Sequence, residues 1–209
     1  MTRRIGLIVN PIAGMGGAVG LKGTDGPVIL ARAREMGAVT HSGERAAAAL
    51  RPLAALRDRF EIITCLGAMG EVAARLAGLV PRLLPLPSAD ATNAEHTRAA
   101  ARALTCARVE LILFAGGDGT ARDLLAAAGS VPVLGIPTGV KMRSAVFAPT
   151  PSRAGEIAAA WLLGAPGEVP LADAEIVDLD ESDIVADRPM QRLHGVTAFP
   201  IQAIQEFSR

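Results

Sequence analysis

The sequence predicts an α/β fold in which helices cover both faces of a mainly parallel sheet. Short aliphatic runs, typical of buried strands, alternate along the chain with longer segments of helical periodicity. These runs are continuously apolar, as expected for strands buried on both faces. Hydrophobic residues make up 50% of the 209 residues and aromatic residues 3%, so we expect a core of mainly aliphatic side chains.

The first predicted strand runs from Ile5 to Val9 and ends at Asn10-Pro11, a turn signal. A glycine-rich segment without periodicity follows at residues 14–26. Further strands are predicted over residues 60–65, 82–86, 109–114 and 133–136. Helices are predicted over residues 28–36, 44–56, 69–79, 90–103, 121–128 and 152–163. This order favours strand–helix–strand units and therefore parallel strands.

The composition changes after Gly164-Ala165-Pro166-Gly167, and the chain divides next to this segment into two predicted parts, residues 1–168 and 169–209. Residues 170–187 carry seven acidic and no basic side chains, a pattern that favours a solvated strand face over a metal site. Within them, residues 174–179 partly alternate, which is typical of a half-exposed antiparallel strand. Because domains below about 40 residues rarely stand alone, we expect the second part to pack on the first or on a partner chain.

Charge and cysteine content argue against several functional classes. The 21 basic and 21 acidic residues balance, and the arginines are scattered, so we expect no nucleic acid as partner. The chain has no apolar stretch of the ~18 residues that a membrane span needs and no leader-like start, so we expect a cytoplasmic protein without membrane contact. Cys65 and Cys106 show neither metal-type spacing nor a disulfide framework, which predicts free thiols.

The strongest functional signal is the central loop, Gly116-Gly117-Asp118-Gly119-Thr120, between a predicted buried strand and a helix. Glycines let backbone amides approach phosphate oxygens closely, and the start of a helix offers free N–H groups with a partial positive charge. Thr120 can cap the helix or bind a phosphate. The pattern favours a phosphate-binding loop.

Asp118 needs a separate explanation, because a carboxylate repels phosphates. It fits a general base for an attacking hydroxyl, or a group that meets the phosphates through Mg²⁺. The alternative is a tight strand–helix turn in which Asp118 only caps the helix. Both interpretations stay open on spacing alone.

A second glycine cluster, the first loop, spans residues 10–17 after the first strand. Gly14 and Gly16 do not have the spacing of a dinucleotide fingerprint that opens a helix at once. A lid or a phosphate-contacting loop fits better, with an ordinary surface loop as the alternative. Asn10 could tether this loop or meet a nucleotide.

A third cluster, Gly135 to Ser144, again follows a strand end; its residues 138–144 are the third loop. Ligands of open α/β sheets sit outside the carboxyl ends of the strands, so Thr138, Gly139 and Lys141 are candidate ligand contacts. Lys141 and Arg143 could offset phosphate charge or belong to a solvated loop. Weaker candidates, which helix capping explains equally well, are Asp90, Thr92, Asn93 and Thr97.

The central loop together with Asn10-Pro11 resembles the superfamily of NAD kinases, diacylglycerol kinases and sphingosine kinases, and more distantly the phosphofructokinases. Residues 9–17, 20–26 and 135–142 resemble one branch closely, the ATP-NAD kinase-like proteins associated with acetoin catabolism. The similarity extends over about residues 4 to 180.

The resemblance implies a Rossmann-like three-layer domain over residues 1–168, with residues 169–209 as the truncated start of an all-β C-terminal domain. It implies transfer of the γ-phosphoryl group of ATP, or of polyphosphate, to the 2′-hydroxyl of NAD, with Mg²⁺ assisting. Carried over by motif, Asp118 is the base, and Gly116, Gly117, Gly119 and Thr120 contact phosphates.

Two features depart from the family pattern. The second domain is short, and Thr138-Gly139-Val140-Lys141 stands where an asparagine-rich turn is common. The sequence therefore leaves alternatives to an NAD kinase: a catalytically incomplete nucleotide-binding or regulatory module, and a kinase of another hydroxyl acceptor, a lipid or a sugar. Unpaired strand edges in residues 169–209 predict a homo-oligomer.

Overall fold

The central sheet consists of five described strands in the order β3-β2-β1-β4-β5, and all neighbouring strands are parallel. The strands are β1 (Arg3–Val9), β2 (Phe60–Thr64), β3 (Arg82–Leu83), β4 (Leu111–Gly116) and β5 (Val133–Pro137). The computed structural model describes residues 2–21, 27–86, 92–139, 142–165, 168–179 and 191–200. The predicted α/β fold with a mainly parallel sheet is confirmed.

Helices pack on the sheet in two groups. They are α1 (Met15–Ala18), α2 (Pro27–Glu35), α3 (Ser42–Leu50), α4 (Glu71–Leu76), α5 (Ala94–Cys106), α6 (Asp118–Leu125) and α7 (Pro151–Leu163), with 3₁₀ turns at Arg51–Leu56 and Gly67–Met69. Helix α3 contacts α4 and α7, whereas α5 contacts α6. The two groups and the sheet form the three layers of a Rossmann-like arrangement. None of the described helices is long and apolar enough to cross a membrane.

The middle strands β1 and β4 lie at the centre of the core. Every residue of β4 is buried, and so are Ile5 to Val9 of β1. Because helices cover both faces of these strands, neither face needs polar residues, which explains the continuous apolar runs in the sequence.

Helix α3 ends six residues earlier than predicted. The predicted helix over residues 44–56 is an α-helix only to Leu50 and continues as a 3₁₀ turn that contains Pro52. Proline has no N–H for an α-helical hydrogen bond and clashes with the preceding turn. The helix therefore changes type at this point.

Helix α6 begins earlier than predicted, at Asp118 instead of Ala121. Strand β4 runs to Gly116, and Gly117 is the single extended residue between them. The central loop is therefore the end of a strand joined directly to the first turn of a helix.

The glycine-rich segment after β1 contains a helix that the sequence did not predict. Helix α1 contacts α2, and Met15, Leu30 and Ala33 form a small apolar cluster separate from the main core. Gly16 is buried within α1. The residues of the first loop next to α1 are therefore packed, and residues 22–26 lie outside the described residues.

The second sheet consists of β6 (Leu171–Leu179) and β7 (Gln191–Pro200), which pair antiparallel. The predicted antiparallel strand over residues 174–179 is confirmed. Strand β6 also contacts α6, so the second sheet packs beside the helix that begins at the central loop. Residues 180–187 of the acidic run lie outside the described residues.

Candidate functional site

The candidate site lies where the strand order reverses. From β1 the chain continues to β2 on one side of the sheet, and from β4 it continues to β5 on the other. This divergence leaves a crevice at the carboxyl ends of β1 and β4, the usual ligand position in open α/β sheets. Asn10 follows β1 there, and its N–H donates to the carbonyl of Ala115 near the end of β4 at 2.9 Å.

The first and third loops meet at Gly14. This residue has a φ of +83°, and a Cβ built on it would lie 2.5 Å from the carbonyl oxygen of Thr138. Both the backbone conformation and the space therefore require glycine. Thr138 is buried, and its hydroxyl donates to the carbonyl of Gly116 at 2.7 Å, which joins the third loop to the central loop.

Asn10 ties the first loop to the central loop. Its Nδ2 donates to Oγ1 of Thr120 at 3.1 Å, and its Oδ1 accepts from the N–H of Ile12 at 3.2 Å and from the hydroxyl of Thr92 at 3.4 Å. Thr120 is buried, so its side chain is directed into the protein. The contact described for this hydroxyl is structural, and phosphate binding by Thr120 stays a prediction.

The space beside the start of α6 is open. A Cβ built on Gly117 meets no described atom within 4 Å, and no described side chain caps this end of the helix. The first N–H groups of any α-helix have no intrahelical acceptor, and together with the helix dipole they attract anions. Phosphate binding at this end of α6 stays a prediction.

Asp118 accepts hydrogen bonds from the third loop and does not cap α6. The backbone N–H of Arg143 lies 3.2 Å from Oδ1 and 3.0 Å from Oδ2, and that of Ser144 lies 2.9 Å from Oδ1. The capping alternative is therefore not what the structure contains. Instead, two amides of another loop hold the carboxylate at the crevice.

Residues 5–165 match the family model of the ATP-NAD kinase N-terminal domain. The chain belongs to the ATP-NAD kinase family. The match runs from β1 to the region after α7 and includes all three loops of the candidate site. Comparison with curated proteins and comparison with solved structures gave no match.

In this member of the ATP-NAD kinase family, the Asp118 carboxylate keeps room for one more hydrogen bond. An ionised carboxylate has about four acceptor positions. Oδ1 accepts hydrogen bonds from the N–H groups of Arg143 and Ser144. Of the described donors, Oδ2 accepts only from the N–H of Arg143, which it shares with Oδ1. Asp118 is half-buried, so a position at Oδ2 remains for a hydrogen bond from a ligand hydroxyl; the base role stays a prediction.

Arg45 is a site residue that the sequence did not indicate. It lies on α3, is half-buried, and its Nη1 donates to the carbonyl of Pro137 at the end of β5 at 3.2 Å. No carboxylate among the described residues pairs with it. The chain places it 92 residues from Pro137, and no motif surrounds it, so only the fold brings it to the crevice.

Several predicted residues have limited or no description. Gly119 is the second residue of α6 and Gly139 follows Thr138, and both are half-buried. Lys141 and Asp90 lie outside the described residues. Of the weaker candidates, Asn93 caps α5 together with His96, as the capping interpretation predicted.

Other reactive groups of the described chain do not compete with Asp118. Burial raises the pKa of the Cys65 thiol to about 11, so the thiol stays neutral and unreactive at neutral pH. Among the described residues, no cluster of three His, Cys, Asp or Glu side chains could hold a metal ion. Two cavities lie away from the crevice, one between residues 57–62 and 78–80 and one on α2. The candidate site is defined by the converging loops.

Proposed function

We propose that the protein is an NAD kinase-like phosphotransferase that transfers the γ-phosphoryl group of ATP, or of polyphosphate, to the 2′-hydroxyl of NAD and forms NADP. The observation that supports it most is the Asp118 carboxylate, held by two backbone amides beside the open first turn of α6. A base and a phosphate-binding helix start are thereby adjacent. Membership of the ATP-NAD kinase family supports the same reaction.

The three loops take different parts in this proposal. The amides around Gly117 and Gly119 bind phosphate oxygens, because they begin α6 next to open space. Gly139 lies in the adjoining third loop and lets that loop approach the same phosphates. The residues that shape the crevice by holding the loops together are Asn10, Gly14, Gly116, Thr120 and Thr138, and Gly16 is proposed as a nucleotide contact on sequence grounds alone. Lys141 is proposed as a phosphate contact on sequence grounds alone.

Asp118 acts as the general base. Its Oδ2 accepts the proton of the NAD 2′-hydroxyl while the hydroxyl oxygen forms a bond to the γ-phosphorus. The bond from that phosphorus to the β-bridging oxygen breaks, and ADP leaves with the electron pair. Phosphoryl transfer needs in-line positioning and charge stabilisation more than covalent chemistry, which suits a site made of backbone amides.

Mg²⁺ enters as part of the substrate. This ion prefers octahedral oxygen coordination and is commonly held by substrate phosphates with one or two carboxylates. Asp118 is the carboxylate that the described crevice offers, and its Oδ2 serves the substrate hydroxyl, so the ATP phosphates and water would hold the ion. The ion would supply charge neutralisation on the transferred phosphate.

Removing the carboxylate tests the proposal. In a coupled NADP assay with MgATP and NAD, Asp118→Asn should lower kcat by about 10²–10⁴-fold, because general-base catalysis contributes that much. Asparagine keeps the shape and an acceptor for the loop amides, so folding should persist. Full turnover by the variant would disprove the base assignment.

The same assay separates the alternatives. Calorimetric binding of MgATP and NAD without phosphate transfer would select a nucleotide-binding or regulatory module. Transfer to a lipid or sugar hydroxyl, with none to NAD, would select another acceptor.

The family branch, the domain division, the cellular location and the oligomeric state are proposed from the sequence alone. Placement in the branch associated with acetoin catabolism rests on residues 9–17, 20–26 and 135–142. The division at residues 168/169, the cytoplasmic location and the homo-oligomer through residues 169–209 are proposals from the sequence. Sedimentation that shows a monomer at high concentration would contradict the last.

A further inference from the structure

Ser144 connects the proposed base to the second sheet. Its backbone N–H donates to Oδ1 of Asp118 at 2.9 Å. Its hydroxyl reaches in the other direction, to the backbone of Val177 on β6. Ser144 itself is buried. One residue thus contacts both the carboxylate at the crevice and a strand of the second sheet.

The hydroxyl makes two hydrogen bonds with the same residue. It donates to the carbonyl of Val177 at 3.0 Å and accepts from the N–H of Val177 at 3.2 Å. In an antiparallel pair, alternate residues direct both backbone groups away from the partner strand. A hydroxyl is both a donor and an acceptor, so Ser144 takes the place of a neighbouring backbone at this edge of β6.

The neighbouring residue extends the same contact. The N–H of Ala145 donates to the carbonyl of Glu175 at 2.9 Å, two residues before Val177 on β6. The register of β6 against β7 shifts between Ile176 and Val177, at the position where Ser144 binds. The end of the third loop and Ala145, the residue after it, therefore bind Glu175 and Val177 along the edge of β6 that faces away from β7.

We infer that Ser144 is a positioning residue: strand β6 anchors the third loop through its hydroxyl, and the anchored loop orients the Asp118 carboxylate. The inference rests on the proposed function, in which Asp118 is the base. Helix α6 sets the position of the Asp118 backbone but leaves its side-chain rotamers open. The amides of Arg143 and Ser144 select one rotamer. The position of these amides depends on the position of the third loop, which carries them.

Loss of the hydrogen bonds between Ser144 and Val177 should therefore change the orientation of the Asp118 carboxylate. In Ser144→Ala, the N–H that binds Asp118 remains, but the two bonds to Val177 are lost. A small displacement of a catalytic group can lower a rate by about a hundredfold. We expect kcat to fall by about 10- to 100-fold with KM changed by less than about twofold, and Ser144→Thr, which keeps the hydroxyl, to restore most of it.

Amide hydrogen exchange tests the coupling without reference to activity. In the full-length chain, Ser144→Ala should lower NMR-detected protection at residues 143, 144 and 177 by about tenfold relative to the amides of β4, because the anchor suppresses local opening. Asp118→Asn, whose neutral side-chain oxygen is a weaker acceptor than a carboxylate, should lower protection at residues 143 and 144 while Val177 stays protected. Ser144→Ala removes the contact between the third loop and β6, whereas Asp118→Asn weakens the contact between the loop and the carboxylate, so the two contacts are tested separately.

Thr105→Val is the matched control. The hydroxyl of Thr105 also bridges two backbone groups, the carbonyls of Ala101 and Ala128. It lies near the C-terminal end of α5, before β4 begins, whereas Asp118 follows β4. Its loss should affect stability without changing kcat or protection at residues 143 and 144. If Ser144→Ala does not fold, Ser144→Cys, with a much weaker donor, should give the same exchange pattern.

A folded Ser144→Ala in which residue 177 loses protection while residues 143 and 144 keep it would overturn the inference. Unchanged kcat in that variant would overturn it as well. If the wild-type chain transfers no phosphate but the exchange pattern appears, the proposed function fails while the coupling between β6 and Asp118 stands.

Discussion

At the scale of single residues, the crevice depends on close contacts that tolerate no added atoms. Gly14 lies against the carbonyl of Thr138 with a positive φ, whereas Gly20 has a similar φ of +76° and no described atom within 4 Å of a built Cβ. A side chain at either position would strain the backbone, but only at Gly14 would it also clash with a neighbouring loop.

Gly14→Ala should lower the free energy of unfolding more than Gly20→Ala. Both variants carry the cost of about 1–2 kcal/mol for a left-handed alanine, but only Gly14→Ala also forces the first loop away from Thr138. We expect an additional loss of about 1–3 kcal/mol from this overpacking, measured by denaturant unfolding. Equal losses in both variants would show that the loops can separate freely.

At the scale of elements, α3 and α7 pack against each other with almost no space between their backbones. A Cβ built on Gly155 of α7 would lie 2.0 Å from the carbonyl oxygen of Ala49 on α3. Such a distance requires the helices to shift. Because α3 also carries Arg45 to the end of β5, a shift of α3 moves a site residue.

Gly155→Ala should destabilise the protein by about 1–3 kcal/mol and weaken nucleotide binding. The control is Gly43→Ala on α3, where a built Cβ meets no described atom within 4 Å. There alanine should stabilise the helix by about 0.5–1 kcal/mol, because glycine is a poor helix former. Thermal unfolding of both variants measures the difference, and a stabilised Gly155→Ala would contradict the described packing.

At the scale of the whole molecule, two half-buried arginines, Arg45 and Arg143, favour an anionic ligand at the carboxyl edge of the sheet. Arg3 pairs with Glu110 at 2.7 Å, and Arg98 pairs with Asp123 at 2.8 Å. Arg45 and Arg143 are half-buried at the crevice, and no carboxylate of the described chain pairs with either. The overall charge is balanced, and the described charges at the crevice are those of these two arginines and of the Asp118 carboxylate.

Arg45→Gln should weaken MgATP binding by about tenfold, since a hydrogen bond to a charged group contributes about 1.5–3 kcal/mol. Arg59→Gln removes the same charge from an exposed position just before β2, at the opposite edge of the sheet, and should leave binding unchanged. Isothermal titration calorimetry at two salt concentrations measures both. Equal effects in the two variants would point to overall charge instead of a local contact.

The sequence by itself determined the parallel sheet, the alternation of strands and longer helices along the chain, and the central loop with Asp118, because buried strands and strand–helix turns leave local patterns of apolar and glycine residues. Helix boundaries were harder to predict from the sequence. The start of α6 at Asp118, for example, depends on the residue at which β4 ends. The packed α1 was missed because its four residues show no period.

Only the tertiary structure decided what Asp118 touches. Its carboxylate meets amides 25 and 26 residues away, Ser144 meets β6 33 residues away, and Arg45 meets β5 92 residues away. Such contacts are made by backbone groups, which every residue carries, and by single side chains without a surrounding pattern. They follow from the path of the folded chain, so a local pattern can mark the loop that holds a ligand but not the distant groups that orient it.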